Sequence, residues 1–189
     1  PDVQPWAEFG EPVDDSEGAG AALAQRQSDA ALTLLADALA RSENGDDLEL
    51  LFLRVEAERQ KGQSAPAKTD LEAILKKKAD SARALHALGE LQVAAKQLPE
   101  AKASFEAALK ADPEHVGSAI ELAAIALLEE HQAEAAVTSI EAALEPSRRD
   151  KLGPSEIARA LALKGESLAQ QKKDTKAIDE STDTWDAID

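Results

Sequence analysis

Apolar positions recur with a helical period through the centre of the chain, from residue 81 to residue 113. The first half of this stretch places one apolar stripe along a helix, formed by Leu85, Leu88 and Leu91. The second half carries a similar stripe, formed by Ala101, Phe105, Ala108 and Leu109. Residues 96–99 break the pattern, and Asp112–Pro113 ends it. Because neither helix can bury its stripe alone, the pattern predicts an antiparallel helix pair.

This spacing resembles the tetratricopeptide repeat, in which Trp, Leu-Gly and Tyr positions are followed by Ala, Phe and Pro positions. Leu88–Gly89 and, on the second helix, the residues Ala101, Phe105, Ala108 and Pro113 match that pattern. Leu85 stands in the tryptophan position, and Gln92 departs from the tyrosine position. The period of the family is about 34 residues, which leads from Ala82 back to Leu48 and forward to Val116.

Both of these steps arrive at further copies of the pattern. In the earlier copy, Leu51 takes the tryptophan position, Gly62 makes the turn, and the second helix carries Ala67, Leu71 and Ile74. In the later copy, the equivalent small and apolar positions are Leu122–Ala123, Ala135 and Ala142. The resemblance implies an all-α, right-handed α-solenoid of about four antiparallel helix pairs, with a degenerate cap at the N-terminal end.

We expect three central repeats and two atypical ends. The repeats are expected at 48–81, 82–115 and 116–149, after a cap helix or helix pair at 21–44 that one continuous helix could replace. After Pro146 the register slips, which predicts a longer loop and a last repeat at 156–188. That repeat is predicted from Leu161, Gly165 and Leu168 on one helix and Ala177, Ser181 and Trp185 on the other.

Residues 1–20 are acidic and rich in proline and glycine, which predicts an irregular tail or linker. Trp6 and Phe9 are unusual there, because aromatic residues make up only 3% of the chain. The segment is expected either to connect to an upstream domain or to dock these two rings on the solenoid. The chain begins at Pro1, and we expect it to be a fragment of a longer protein, which leaves the compartment open, with the cytoplasm slightly favoured.

The formal net charge of −16 makes two classes of partner, nucleic acids and anionic membranes, unfavourable. Nucleic acid phosphates and anionic lipid surfaces both require clustered Lys and Arg, so we expect neither as a partner. No apolar run reaches the length of a membrane span, and we expect no membrane insertion. The chain contains no cysteine, which excludes disulfides and thiolate metal sites.

The candidate chemistry is sparse. The three histidines, His86, His115 and His131, are not expected to converge, so we expect no metal site and no cofactor. The chain contains no HExxH, no glycine-rich phosphate loop and no GxSxG motif. We therefore expect a protein that is not an enzyme.

The resemblance implies a binding site on the concave face, which the first helix of each pair lines. The expected groove residues are Phe52, Glu56, Arg59, Arg83, His86, Glu90, Val93, Ile120, Ala124, Leu127, Arg159 and Glu166, with Gly117 on the same face. Phe52, Ile120 and Leu127 are expected either to anchor a partner or to pack on neighbouring helices. Glu56 and Glu90 stand where repeats that bind chaperone C-termini carry asparagine, and a carboxylate ligand would meet like charge there.

These features favour a scaffold or adaptor for protein–protein interaction, as in bacterial complex assembly. Its partner is expected to be a peptide or helical segment with apolar anchors and some basic character. Two alternatives stay open: an accessory domain of a larger enzyme, such as a kinase or a thioredoxin-like protein, or a structural module that forms homo-oligomers.

Overall fold

The structure, a computed structural model, describes residues 15–42, 47–129, 133–149 and 152–170. Within these ranges the chain forms ten α-helices and no strand. They are α1 (Asp15–Ala24), α2 (Ser28–Arg41), α3 (Leu48–Gln60), α4 (Ser64–Lys77), α5 (Ala82–Ala94), α6 (Leu98–Ala111), α7 (Val116–Glu129), α8 (Ala133–Ala143), α9 (Pro146–Arg149) and α10 (Pro154–Gln170). The chain divides into two compact units, unit 1 up to Ala79 and unit 2 from Asp80.

Each unit is built from helix pairs. In unit 1, α1 packs on α2 and α3 packs on α4. In unit 2, α5 packs on α6 and α7 packs on α8, while α10 packs on both α8 and α7. The first helices of the three central pairs begin at Leu48, Ala82 and Val116, at intervals of 34 residues. The prediction of an α-solenoid of tetratricopeptide-like helix pairs is confirmed.

The second helices of the pairs carry the predicted core. Ala67, Leu71 and Ile74 on α4, and Ala101, Phe105 and Ala108 on α6, are all completely buried. Small residues at the first and last of these positions on α6 let neighbouring helices approach, and the Phe105 ring fills the space between them. Full burial of one such ring removes enough apolar surface from water to contribute about 1.5–3 kcal/mol.

Gly89 on α5 lies directly against the ring of Phe105 on α6. A Cβ atom built at Gly89 would lie 2.5 Å from Phe105 Cε1 and 2.8 Å from both Cδ1 and Cζ. Real side chains do not approach that closely, so only glycine allows α5 and α6 to pack at this separation with Phe105 in place. The Leu-Gly pair in the sequence therefore marks a helix–helix contact.

The third repeat departs from the predicted positions by one residue. Ala135 and Ala142, which were predicted to repeat the small core residues, are both exposed. The buried stripe of α8 is instead formed by Ala136, Ile140 and Ala143. α7 has 14 residues where α5 has 13, and α8 begins 35 residues after α6. The core positions of α8 therefore lie 35 residues after those of α6, one more than the period.

The N-terminal end also differs from the sequence-based expectation. α1 begins at Asp15, so the last six residues of the tail expected at 1–20 are helical. Burial of Ala19 and Leu23 in unit 1 offsets the low helix propensity of the glycines in this segment. Arg26, with a φ of 57°, reverses the chain between α1 and α2, which excludes one continuous helix there.

The connection that precedes the last described helix is longer than the turns within the central pairs. α9 occupies the loop that the slipped register indicates, and α10 begins at Pro154, two residues before the expected start. Several of the predicted residues lie outside the described ranges, namely Trp6, Phe9, Ala177, Ser181 and Trp185. The docking of the two N-terminal rings therefore stays a prediction.

A buried polar cluster joins α3 and α4 in unit 1. The Arg54 guanidinium donates two hydrogen bonds to the Asp70 carboxylate, from Nε to Oδ2 and from Nη2 to Oδ1 at 2.6 Å. Glu58 is buried beside this pair, and its Oε2 has no hydrogen-bond partner within the described part of the chain. Burial raises the pKa of the Glu58 carboxyl to about 7; Asp70 adds to the rise, and Arg54 opposes it.

We expect Gly89→Ala to lower the free energy of unfolding by about 1–3 kcal/mol, because the added methyl group overlaps the Phe105 ring. Alanine normally stabilises a helix relative to glycine, so a loss of stability in the Gly89→Ala variant would itself indicate the overlap with the Phe105 ring. Gly20→Ala on α1 is the matched control, since a Cβ there meets nothing within 4 Å. Urea denaturation should show it raising stability by about 0.5–1 kcal/mol. Equal effects of the two substitutions would contradict the packing of α5 on α6.

We expect Glu58→Gln to flatten the pH dependence of stability. Because the folded-state pKa of Glu58 lies above its usual 4.5, protonated Glu58 favours folding, and this contribution is lost as the pH rises from 4.5 through 7. Glutamine stays neutral, so urea denaturation should show the variant gaining stability relative to the parent across that window. Glu56→Gln removes an exposed carboxylate of the same helix and is the control for the loss of one carboxylate from α3. Parallel profiles for the Glu58 variant and the parent would refute the assignment.

Candidate functional site

Three helices of unit 2, namely α5, α7 and α10, border one open pocket. Its volume is 370 Å³. We call it the inner pocket, and define it by its lining residues His86, Glu90, Gly117, Ile120, Glu121, Ser155, Glu156 and Arg159. α5 supplies the first two of these, α7 the next three and α10 the last three. Each face of the pocket therefore comes from a different helix, and α5 and α7 are the first helices of successive pairs.

A row of polar side chains fixes the imidazole of His86 at one side of the inner pocket. His86 Nδ1 lies 3.1 Å from Ser118 Oγ, and Ser118 Oγ lies 3.0 Å from His115 Nδ1. Ser118 is completely buried. The His86 ring also packs on two neighbours, with its centroid 5.4 Å from that of Phe105 and 4.9 Å from that of His115. The Ser118 hydroxyl therefore fixes the Nδ1 edge of the His86 imidazole, and the rings of Phe105 and His115 pack against it.

The hydrogen bonds of this row assign the tautomers of both neutral imidazoles. The backbone N–H of Ser118 is shared between the His115 carbonyl oxygen at 3.1 Å and His115 Nδ1 at 3.3 Å, which makes this nitrogen an acceptor and places the proton of the neutral ring on Nε2. The Ser118 hydroxyl then donates to the same nitrogen and accepts from His86 Nδ1–H. In neutral His86, Nε2 is therefore the acceptor, and it lies 3.8 Å from Glu90 Oε1.

One buried carboxylate and one guanidinium face each other across the inner pocket. Arg159 on α10 donates from Nη2 to Glu121 Oε2 on α7 at 2.7 Å. The Glu121 side chain is 12% exposed, whereas that of Arg159 is 52% exposed. Burial raises the pKa of the Glu121 carboxyl, and Arg159 opposes this rise, while the negative charges of Glu90 and Glu156 add to it.

The start of α10 positions the third carboxylate of the inner pocket. Glu156 Oε2 accepts a hydrogen bond of 2.8 Å from the backbone N–H of Gly153, which ties the side chain to the loop before the helix. Across the pocket, a Cβ atom at Gly117 would lie 3.2 Å from His86 Cε1 and 3.4 Å from Glu156 Oε1. The absence of a side chain at Gly117 thus leaves space between the imidazole and this carboxylate.

The inner pocket brings together five residues that the sequence placed on the concave face: His86, Glu90, Gly117, Ile120 and Arg159. Ile120 is 2% exposed and contributes an apolar wall. Ala124 and Leu127 are buried, and Leu127 packs in the hydrophobic cluster of α7 and α8. Ala124 and Leu127 therefore support unit 2 from within.

The remaining predicted groove residues lie outside the inner pocket. Val93 packs against the Phe105 cluster, Arg83 is exposed on α5, and Glu166 is exposed on α10. In unit 1, Phe52 on α3 is half-buried. On the same helix, Arg59 Nη1 lies 3.7 Å from Glu56 Oε2.

The expectation that the histidines do not converge is wrong for His86 and His115. The stacking of α5 on the start of α7 brings these two rings into contact, although they belong to different repeats. His131 lies outside the described residues. Within the described ranges, no group of three or more His, Cys, Asp or Glu side chains is arranged to hold a metal ion. Over the same ranges, every helix is too short or too polar to cross a membrane.

Sequence reasoning missed Glu121, Ser155 and Glu156. The residue equivalent to Glu121 in the preceding repeat is Ala87, a core position, and the substitution of a carboxylate there was an available signal. Ser155 and Glu156 reach the inner pocket because α10 begins at Pro154. The length of the preceding loop, which sequence periodicity does not determine, decides that placement.

We expect Ser118→Ala to destabilise the fold by about 1–3 kcal/mol, because it removes the buried hydroxyl that two half-buried imidazole nitrogens share. Ser147→Ala removes an exposed hydroxyl of unit 2 and is the control, expected within about 0.5 kcal/mol of the parent. Long-range ¹H–¹⁵N NMR spectra of the parent, recorded at a pH at which both imidazoles are neutral, should show the Nδ1–H form of His86 and the Nε2–H form of His115. The opposite tautomers would overturn the assigned network.

Comparison with known proteins agrees with this architecture. A tetratricopeptide repeat family model matches residues 52–116 and 86–151, which together span more than half of the chain. No curated protein matches the chain by sequence.

Three solved structures illustrate the similarity of fold. TTC0263, a thermophilic TPR protein in Thermus thermophilus, is 20% identical with a TM-score of 0.67, over 93% of this chain and 95% of that one. MamA 41-end from Desulfovibrio magneticus RS-1 is 18% identical with a TM-score of 0.65, over 92% and 94%. YrrB, a TPR protein with an unusual peptide-binding site, is 15% identical with a TM-score of 0.60, over 92% and 86%. With its helix pairs and the two overlapping family matches, the chain belongs to the tetratricopeptide repeat family.

Proposed function

We propose that this protein is a non-catalytic interaction scaffold that binds a segment of a partner polypeptide along the first helices of its repeats. The observation that carries the proposal is the inner pocket, whose lining comes from α5, α7 and α10. A partner segment that follows these helices would place successive side chains against successive repeats. The pocket would take one of those side chains.

The composition of the inner pocket supports recognition of a polypeptide side chain. Its volume of 370 Å³ is near the lower end for small-molecule sites, which are about 300–1,000 Å³. Ile120 and the imidazole of His86 supply apolar surface, while Glu90, Glu121 and Arg159 supply charge. Mixed walls of this kind fix both the position and the chemistry of one inserted group.

The polar row beside the inner pocket supports a role without catalysis. Ser118 is the hydroxyl closest to the two imidazoles, but it is completely buried and engaged with both of them. A nucleophile must reach its substrate, and a hydroxyl in this position cannot. The row is instead a structural device that holds His86 in one orientation.

The comparisons support the same class of function. YrrB, which shares the fold, is a TPR protein with an unusual peptide-binding site. At 15% identity this likeness extends to the fold alone, and the binding role of the present chain rests on its own pocket. The accessory-domain and self-association alternatives stay predictions, because no contact among the described residues favours either.

We expect a display library of random peptides to yield binders whose capture depends on the first helices of unit 2. The double variant Glu90→Lys with Glu166→Lys reverses two charges on α5 and α10 and should reduce the capture of enriched peptides by about tenfold or more. The matched control, Glu106→Lys with Glu134→Lys, makes the same charge change at exposed positions of the second helices α6 and α8.

Thermal melts of both double variants establish that each is folded before capture is compared. Retained capture by the first-helix variant, or equal loss in the two variants, would contradict a binding site on the first helices. Sedimentation of the parent at two concentrations, run alongside, reports whether a second copy of the chain occupies the same surface.

A further inference from the structure

Carboxylates outnumber cationic side chains among the described residues that line the inner pocket. Three of its eight lining residues are carboxylates: Glu90, Glu121 and Glu156. The tautomer of neutral His86 adds a fourth acceptor, because Nε2 lies on the side of Glu90. Against these stands one guanidinium, that of Arg159. Such a lining is complementary to a group that carries positive charge and several N–H donors.

Arg159 already occupies part of this acceptor-rich space. Its side chain reaches across from α10 to Glu121 on α7, and the two residues are 38 positions apart in the chain. The guanidinium is half-exposed while its carboxylate partner is nearly buried. Because the guanidinium is partly solvated, Arg159 can return to water when another cation takes its place, and Glu121 keeps a cationic partner throughout the exchange.

We propose that the inner pocket receives the cationic end of one lysine or arginine side chain from the partner segment, which takes the place that Arg159 holds beside Glu121. The proposal rests on the proposed function and specifies the chemistry of its ligand. Arg159 is then a tethered competitor, and the pocket selects partners whose cation binds Glu121 better than Arg159 does.

The shape of the inner pocket supports a long basic side chain as the occupant. Lysine and arginine carry an apolar stem behind their charge, and they bury that stem against apolar surface. Ile120 and the His86 ring provide such surface, and the space beside Gly117 leads between His86 and Glu156. A Cβ atom at Gly117 would narrow this passage without changing any charge.

The charges in the inner pocket disfavour the opposite ligand chemistry. An incoming carboxylate or phosphate would face Glu90, Glu121 and Glu156 together, and Arg159, the one guanidinium among the described lining residues, is already paired. Arg159 could serve an anion only by leaving Glu121, whose nearly buried charge would then lose its partner. A cation meets neither obstacle.

The test uses the full chain, labelled with ¹⁵N, and small capped amino acids as probes. Nα-acetyl-arginine and Nα-acetyl-lysine N-methylamides are titrated and compared with their neutral analogues made from citrulline and norleucine. Both cationic probes should shift the amide signals of Gly117, Glu121 and Glu156, with dissociation constants at least about tenfold below those of the neutral analogues.

Three variants and one control test the charge and the shape of the inner pocket separately. Glu121→Gln should weaken binding of the cationic probes by about tenfold, whereas Glu106→Gln, the same change at an exposed site on α6, should leave it within about twofold. Gly117→Ala should weaken binding although every charge is retained. Arg159→Gln should tighten binding several-fold, because it removes the competitor from Glu121.

The sign of the Arg159 effect decides between a competitor and an anchor. If Arg159→Gln weakens binding of the cationic probes, or if Nα-acetyl-glutamate N-methylamide binds at this site and loses affinity with that variant, the proposal is overturned. Equal binding of arginine and citrulline probes also overturns it. If library peptides without basic residues still depend on the first helices of unit 2 while no cationic probe binds, the cation pocket is refuted and the scaffold function stands.

Discussion

The contact between the Phe105 ring and the bare backbone of Gly89 determines how closely α5 and α6 approach. A Cβ atom at Gly89 would lie 2.5 Å from that ring, so the ring and a side chain at this position exclude each other. Protein interiors are packed as densely as organic crystals, and a contact of this kind cannot adjust without moving a helix. The same aromatic ring also packs against Ile125 of α7, so it connects two successive repeats of unit 2.

The geometry of the inner pocket depends on this packing of α5 against α6. His86 lies one helical turn before Gly89 on α5, and its imidazole rests on the Phe105 ring, 5.4 Å between centroids. From there the Ser118 hydroxyl fixes the imidazole orientation, and with it the direction of the Nε2 acceptor. A residue of the core and a residue of the pocket are thus positioned by one aromatic side chain. Substitutions in the core of unit 2 should therefore change binding as well as stability.

The sequence was sufficient for the fold because burial repeats with the period of the repeat. The apolar residues of α6 are fully buried because this helix packs on both α5 and α7. They are Ala101, Phe105 and Ala108. The site was harder to predict, since it depends on where repeats differ. Glu121 occupies a position that is alanine in the preceding repeat, and the contact of His86 with His115 exists only once the helices stack. The one-residue shift of α8 shows the same limit, because the period alone does not determine where the second helix of a repeat begins.

The most direct test of this dependence is a double-mutant cycle between Gly89→Ala and Phe105→Leu, measured as free energies of unfolding in urea. The smaller leucine side chain makes room for the methyl group, so the two substitutions should be less damaging together than the sum of their separate effects. We expect a coupling energy of about 1–2 kcal/mol, within the range found for residues in contact. Strict additivity would contradict the close approach of α5 and α6 on which the fold of unit 2 and its inner pocket depend.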